Sequence, residues 1–154
     1  LKEIIDHHIS GQMKIAPEHT SDEVLHHMGK PGKQSLIEFK KMFDDLNKES
    51  GKKQFLTYYL IAAHPGCKES HMHELKQFTT HELKINPEQA QVFTPTPGTY
   101  SAVMYYTELD PFTKKKIFVE KDQRRKEKQK EIVVAKNQFA CKSKKSSSTA
   151  GMQG

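Results

Sequence analysis

A chain of 154 residues is long enough for one packed domain, yet a hydrophobic fraction of 34% and a mean hydropathy of −0.79 exclude a chain that buries every segment. Residues 1–112 carry 12 Lys and 15 Asp or Glu, net −3, whereas residues 113–154 carry 13 Lys or Arg and 4 Asp or Glu, net +9, so the overall charge of +6 belongs to the C-terminal end. No apolar run approaches the roughly 18 residues of a membrane span, and Cys67 and Cys141, with no CxxC near either, argue against a disulfide scaffold and for a reducing, cytoplasmic compartment.

Taken in chain order, periodicity yields one unit three times. "QMKIA" is a short apolar-leaning run stopped by Pro17, "FLTYYLIAA" is a β-rich run stopped by His64-Pro65-Gly66, and "AQVFT" is stopped by Pro95 and Pro97-Gly98. These runs predict strands near residues 12–16, 54–63 and 89–94, each ending in a polar loop that contains proline. Helices are predicted between and after them. Thr20 and Glu23 fit a capping box ahead of a helix near 22–28, with Val24, Leu25 and Met28 on one face. Leu36, Phe39, Phe43 and Leu46 mark a second helix near 34–49, Met72, Leu75, Phe78 and Leu83 a third near 70–84, and residues 100–107 a fourth. Strands alternating with helices predict an α/β fold with a parallel sheet in the order of the chain.

In parallel α/β folds ligands bind at the carboxyl ends of the strands, where the loops converge and helix N-termini present donors. Residues Glu18 to Ser21, His64 to Cys67 and Thr94 to Gly98 occupy those positions and are expected to line one rim. The competing reading is that prolines only end strands and Thr20 only caps a helix. Its repetition at three strand ends favours a site.

Other constellations carry less. His64, Cys67, His71 and His73 fall within ten residues, but HxxC followed by HxH matches none of the common zinc spacings. A native metal site is therefore not expected. His7-His8 and His26-His27 are adjacent pairs whose side chains diverge by about 100° on a helix, so neither pair chelates easily. Tyr58, Tyr59, Tyr105 and Tyr106 could stack on a base or a substrate, but such positions more often pack. The arm "KDQRRKEKQK" could be a nucleic-acid footprint. Acids interrupt it and no aromatic residue lies between 120 and 138, so a partly helical, solvated face from Lys121 to Lys136 is expected, followed by a disordered tail over 143–154.

The segments "LKEIIDHHISGQMKIAPEHTSDEVLHHMGKPG", "YLIAAHPGCKESHMHEL" and "QAQVFTPTPGTYSAVMYYTELDPFT" closely resemble the later part of the radical SAM domain of YgiQ-type proteins. The resemblance covers roughly residues 5 to 119 and implies a partial (β/α) barrel over residues 1–112 with a basic extension over 113–142. In such proteins S-adenosylmethionine (SAM) meets a [4Fe–4S] cluster, whose electron yields a 5′-deoxyadenosyl radical. The cofactors own that chemistry and the protein positions them. The family binds the cluster through CxxxCxxC, and this sequence contains no such motif.

The chain, which begins at Leu1 rather than Met, thus reads as strands four to six of the barrel, without the cluster-binding part of the same protein. No cofactor is expected to stay bound to the fragment. The resemblance implies that Glu18 and Ser21, with His19 next, contact the ribose or methionine moiety of SAM, and that Ala62, His64, Phe93 and Thr94 flank the adenine. Catalytic residues and the substrate stay unassigned. The alternative function is a non-catalytic module that recruits RNA or an acidic partner through the basic arm.

Overall fold

The computed structural model describes residues 1–135; Cys141 and the tail expected over 143–154 lie outside the described residues. Three strands, β1 (Gln12–Glu18), β2 (Phe55–Ala62) and β3 (Gln91–Val92), form a parallel sheet in the order β1-β2-β3. Among the described residues six helices flank them: α1 (Lys2–His7), α2 (Asp22–His27), α3 (Lys33–Glu49), α4 (Glu69–His81), α5 (Tyr100–Thr107) and α6 (Gln123–Val134). The chain is therefore α/β, with the sequential strand order that its alternating periodicity predicts.

Side chains alternate across a strand, and β2 uses the two faces differently. Leu60 and Ala62 pack with Val24, Cys67, Met72, Leu75, Ala90 and Val133, and Tyr58, Met28, Ile132 and Val134 adjoin this core. The opposite face is open: Phe55 is exposed, Gln12 donates to Thr57 Oγ1 at 2.9 Å, and the Lys14 ammonium lies 5.4 Å from the Tyr59 ring centroid. One layer of helices thus covers one side of the sheet. The other side runs up to the loops at the carboxyl ends.

The departures from expectation have local causes. Pro17 has no N–H to give the ladder, the register shifts between Ile15 and Glu18, and Lys30 Nζ satisfies the Ala16 carbonyl at 2.9 Å. Glu18 then turns through φ 65°, which carries His19 and Thr20 inward, so Ser21 rather than Thr20 is the N-cap of α2. The predicted capping box is absent. Thr20 Oγ1 finds no hydrogen-bond partner among the described residues, and Glu23 faces His71 instead, 3.5 Å from its Nε2. Strand β3 is shorter than predicted, pairing only Ile61 with Gln91 and Ala62 with Val92, although Phe93 N–H still donates to the Ala62 carbonyl at 2.9 Å. The charged arm does form a helix, α6, but one side of it is buried rather than solvated. Lys126, Gln129 and Val133 turn inward there, and Val133 joins the core with residues of α4.

Candidate functional site

The loops after the three strands meet over the open face of the sheet. Glu18 from the carboxyl end of β1, His64 from the loop after β2 and Phe93, Thr94 and Thr96 from the loop after β3 line one cleft of about 490 Å³. Tyr59 and Ile61 form its floor, and Thr99 and Ser101 at the start of α5 close one end. Sequence reasoning singled out Glu18, His64, Phe93 and Thr94 separately. The fold brings all four to one cavity.

Backbone strain marks the same rim. Two non-glycine residues, Glu18 (φ 65°) and Ala63 (φ 59°), adopt left-handed conformations directly at the ends of β1 and β2. Such conformations cost on the order of 1–2 kcal/mol for a side-chain-bearing residue and persist where the surroundings over-determine them. Lys30 over-determines the first, since its Nζ lies 3.3 Å from the Glu18 carboxylate while donating to the Ala16 carbonyl.

His64 is the most constrained group in the cleft. Its Nδ1 lies 2.8 Å from the Pro65 carbonyl, which can only accept, so Nδ1 carries the proton and Nε2 accepts from the Ser101 hydroxyl at 2.8 Å. Burial lowers its pKa to about 4, partly opposed by the Pro65 hydrogen bond. The ring meets Phe93 edge-on with centroids 5.0 Å apart. The site therefore offers a neutral imidazole, an aromatic ring, threonine hydroxyls and one carboxylate, a surface suited to a polar aromatic ligand rather than to a bare ion.

The remaining three predicted residues sit behind this wall. Ala62 is fully buried in the core. Ser21 and His19 are tied to each other, because His19 Nδ1 accepts the Ser21 N–H at 2.9 Å and its Nε2 then points its proton at Cys67 Sγ, 3.7 Å away. Burial, with smaller contributions from His71 and His64, lowers the His19 pKa to about 3, and burial raises that of the Cys67 thiol to about 12. This pair locks the first loop to the second. Sequence reasoning did not pick out Ser101, Thr99 or Lys30, and it weighed Tyr59 as a stacking residue but favoured packing, whereas Tyr59 lines the cleft; a serine two residues after the Gly98-Thr99 turn was the available signal for Ser101.

Among the described residues no three of His, Cys, Asp and Glu are grouped to hold a metal ion. The dense run His64–His73 is dispersed by helix geometry: His71 Nδ1 accepts the Lys68 N–H at 3.2 Å, and His73 turns toward Glu69 at 4.0 Å. No described helix is long and apolar enough to cross a membrane.

No family model matches the chain. Over 136 residues, 88% of the chain, it is 66% identical to a UPF0313 protein of Fusobacterium nucleatum, of which the matched stretch is 24%. The chain is similar to UPF0313 proteins. A UPF0313 protein of Clostridium perfringens is 43% identical over 136 residues, and one of Clostridium botulinum 46% over 132, the match covering 20% of each. The chain thus spans between a fifth and a quarter of the length of the UPF0313 relatives it matches, and the matched stretch is long enough to include most of the described strands and helices.

Proposed function

We propose that this chain is the part of a radical SAM enzyme, of the YgiQ-type, that forms one wall of the SAM and substrate pocket. The observation that carries the reading is the convergence of Glu18, His64, Phe93 and Thr94 on a single cleft at the carboxyl ends of parallel strands. The similarity to UPF0313 proteins several times longer agrees with a chain that supplies only part of a site.

The cleft, about 490 Å³, falls within the usual size of small-ligand sites, roughly 300–1,000 Å³, and suits the nucleoside of SAM. Phe93 and His64 would flank the adenine, Thr94 and the Ser101 hydroxyl would meet its polar edge or the ribose, and Glu18 would orient the charged methionine end. When bound next to a reducing cluster, SAM supplies a carbon radical that abstracts hydrogen. A [4Fe–4S] cluster does not fit these residues: it requires thiolates, and Cys67 is fully buried with its thiol pKa pushed up to about 12. Its ligands belong to the proposed remainder of the protein. Within that division of labour, these residues bind, orient and keep water from one side of the ligand, and His64 holds its proton on Nδ1.

An NMR titration of the chain with SAM tests the reading. With one wall and no iron, binding is expected near the millimolar regime, about −4 kcal/mol, with shifts on residues 16–21, 62–67 and 92–98. Tight binding, or shifts confined to α6, overturns the assignment.

A further inference from the structure

A second surface lies on the outer side of α5, away from the sheet. Tyr100 is 63% exposed, Tyr106 and Phe112 are each 72% exposed, and Val103 is exposed between them. With Pro95 and Pro97, the first two tyrosines and Val103 line a groove of about 630 Å³. Singly exposed apolar residues need no explanation, but a contiguous aromatic patch does.

Phe112 is held out deliberately. Leu109 and Lys116 form an antiparallel bridge, the Asp110 carboxylate accepts the N–H of Phe112 at 2.8 Å and of Thr113 at 3.0 Å, and Lys114 turns through φ 61°. The result is a tight hairpin with Phe112 at its tip, its ring 4.9 Å from that of Tyr100 and tilted by 55°. A tilted pair leaves a face of each ring open.

The chemistry around the rings selects the partner. Lys114, Lys115 and Lys116 follow Phe112 and are exposed, while the acids of the segment are spent internally, Asp110 on the hairpin and Glu108 on Lys121. Open aromatic faces beside three consecutive exposed lysines, of which Lys114 donates to the Pro111 carbonyl at 2.7 Å and Lys116 shares the field of Glu108 with Lys121, match bases that stack and phosphates that need cations. We propose that the outer face of α5 and the Leu109–Lys116 hairpin form a docking surface for single-stranded nucleic acid, with bases on Tyr100, Tyr106 and Phe112 and phosphates on Lys114 to Lys116. Single strands are specified because a duplex keeps its base faces stacked. The aromatic residues missing from the arm between 120 and 138 are supplied by the segment just before it.

Fluorescence anisotropy of a fluorescein-labelled 12-nucleotide RNA of mixed sequence, titrated with the 154-residue chain at several salt concentrations, tests this. Wild type should bind the single strand more tightly than the matching duplex. The Tyr100→Ala/Phe112→Ala double variant should weaken binding by about tenfold or more. Replacing Lys114, Lys115 and Lys116 by Ala should flatten the slope of log affinity against log salt by about 2. Should a variant misfold by circular dichroism, wild type alone decides through tyrosine emission, which is unobscured because the chain has five Tyr and no Trp and should be quenched by unlabelled oligouridylate. Absence of quenching or binding, as expected if this face is covered by a protein segment or a second copy, overturns the proposal. So does equal affinity for duplex, or an unchanged affinity in the aromatic variant, which would reduce the effect to charge in the C-terminal tail.

Discussion

The Ser101 hydroxyl donates to Nε2 of His64 at 2.8 Å, joining the start of α5 to the loop after β2 across the mouth of the cleft. The bond forms only with neutral His64, whose pKa is lowered to about 4 chiefly by burial, and His19 behind it is lowered to about 3 for the same first reason. Both folded values lie below the unfolded value near 6.5. As pH falls below about 6.5, the unfolded chain therefore takes up protons that the folded one refuses, and stability drops until the folded pKa values are passed. The thermal midpoint should decline between pH 6.5 and 4 and level above pH 7. His64→Gln should flatten part of that decline. A midpoint insensitive to pH across this window would contradict the assignment of buried, neutral imidazoles.

Gly66 is bound to its residue type by two independent constraints. Its φ is +88°, and a Cβ there would overlap Cδ2 of His27, with Nε2 only 3.0 Å away. The same residue donates its N–H to the Phe118 carbonyl at 2.7 Å, anchoring the segment after α5 to the second loop. Gly66→Ala should lose about 1–3 kcal/mol from backbone strain alone and more from the clash. Adding His27→Ala should recover the steric part but leave the strain. Urea midpoints of the two single variants and the double give the partition; full recovery would mean that the backbone conformation costs nothing.

How far the chain's composition disclosed this arrangement depends on the range of the interactions. Strand positions and the helices at 33–49 and 100–107 were readable because apolar spacing and proline stops act within a few residues. The left-handed turn at Glu18 was not, since the contacts around it come from Lys30, twelve positions on, and with that turn the cap is Ser21 rather than Thr20. Helix α1 was missed because six residues with only Ile5 buried leave almost no periodic signal. The cleft residues on the first, second and third loops could be proposed one by one from strand ends, whereas the His64–Ser101 and His19–Cys67 contacts join residues 37 and 48 positions apart. Charge misled in one place: the density of Lys and Arg in α6 pointed to solvent, yet Lys126 is only 5% exposed.

That buried lysine has a defined partner. Lys126 Nζ accepts nothing and donates to the Tyr105 hydroxyl at 3.0 Å while lying 4.5 Å from the centroid of the same ring, and Tyr105 in turn lies 5.9 Å from Phe93 on the cleft wall. The contact ties α6 to α5 and backs the aromatic side of the site. Lys126→Ala should cost about 1–3 kcal/mol, combining a cation–π contact, a hydrogen bond and lost packing of the stem. Tyr105→Phe should cost about 1 kcal/mol, because it removes only the hydroxyl. Chemical denaturation of both variants and their combination should return a positive coupling; strictly additive losses would mean that the two residues do not interact.

Glu18 allows strain and chemistry to be measured separately. Its backbone sits at φ 65°, and its carboxylate, 3.3 Å from Lys30 Nζ, lines the cleft. Glu18→Ala and Glu18→Gly both delete the carboxylate, so both lose the ion pair, which for a partly exposed pair contributes no more than about 1 kcal/mol. Only glycine relieves the left-handed turn. The glycine variant should therefore be more stable than the alanine variant by about 1 kcal/mol, read from urea midpoints at unchanged slope. If the carboxylate orients the methionine end of SAM, both variants should weaken the NMR-detected binding to the same extent despite their different stabilities. Equal stability would show that the turn is unstrained. Unequal binding would show that the backbone, rather than the carboxylate, is what the ligand meets at this corner of the cleft.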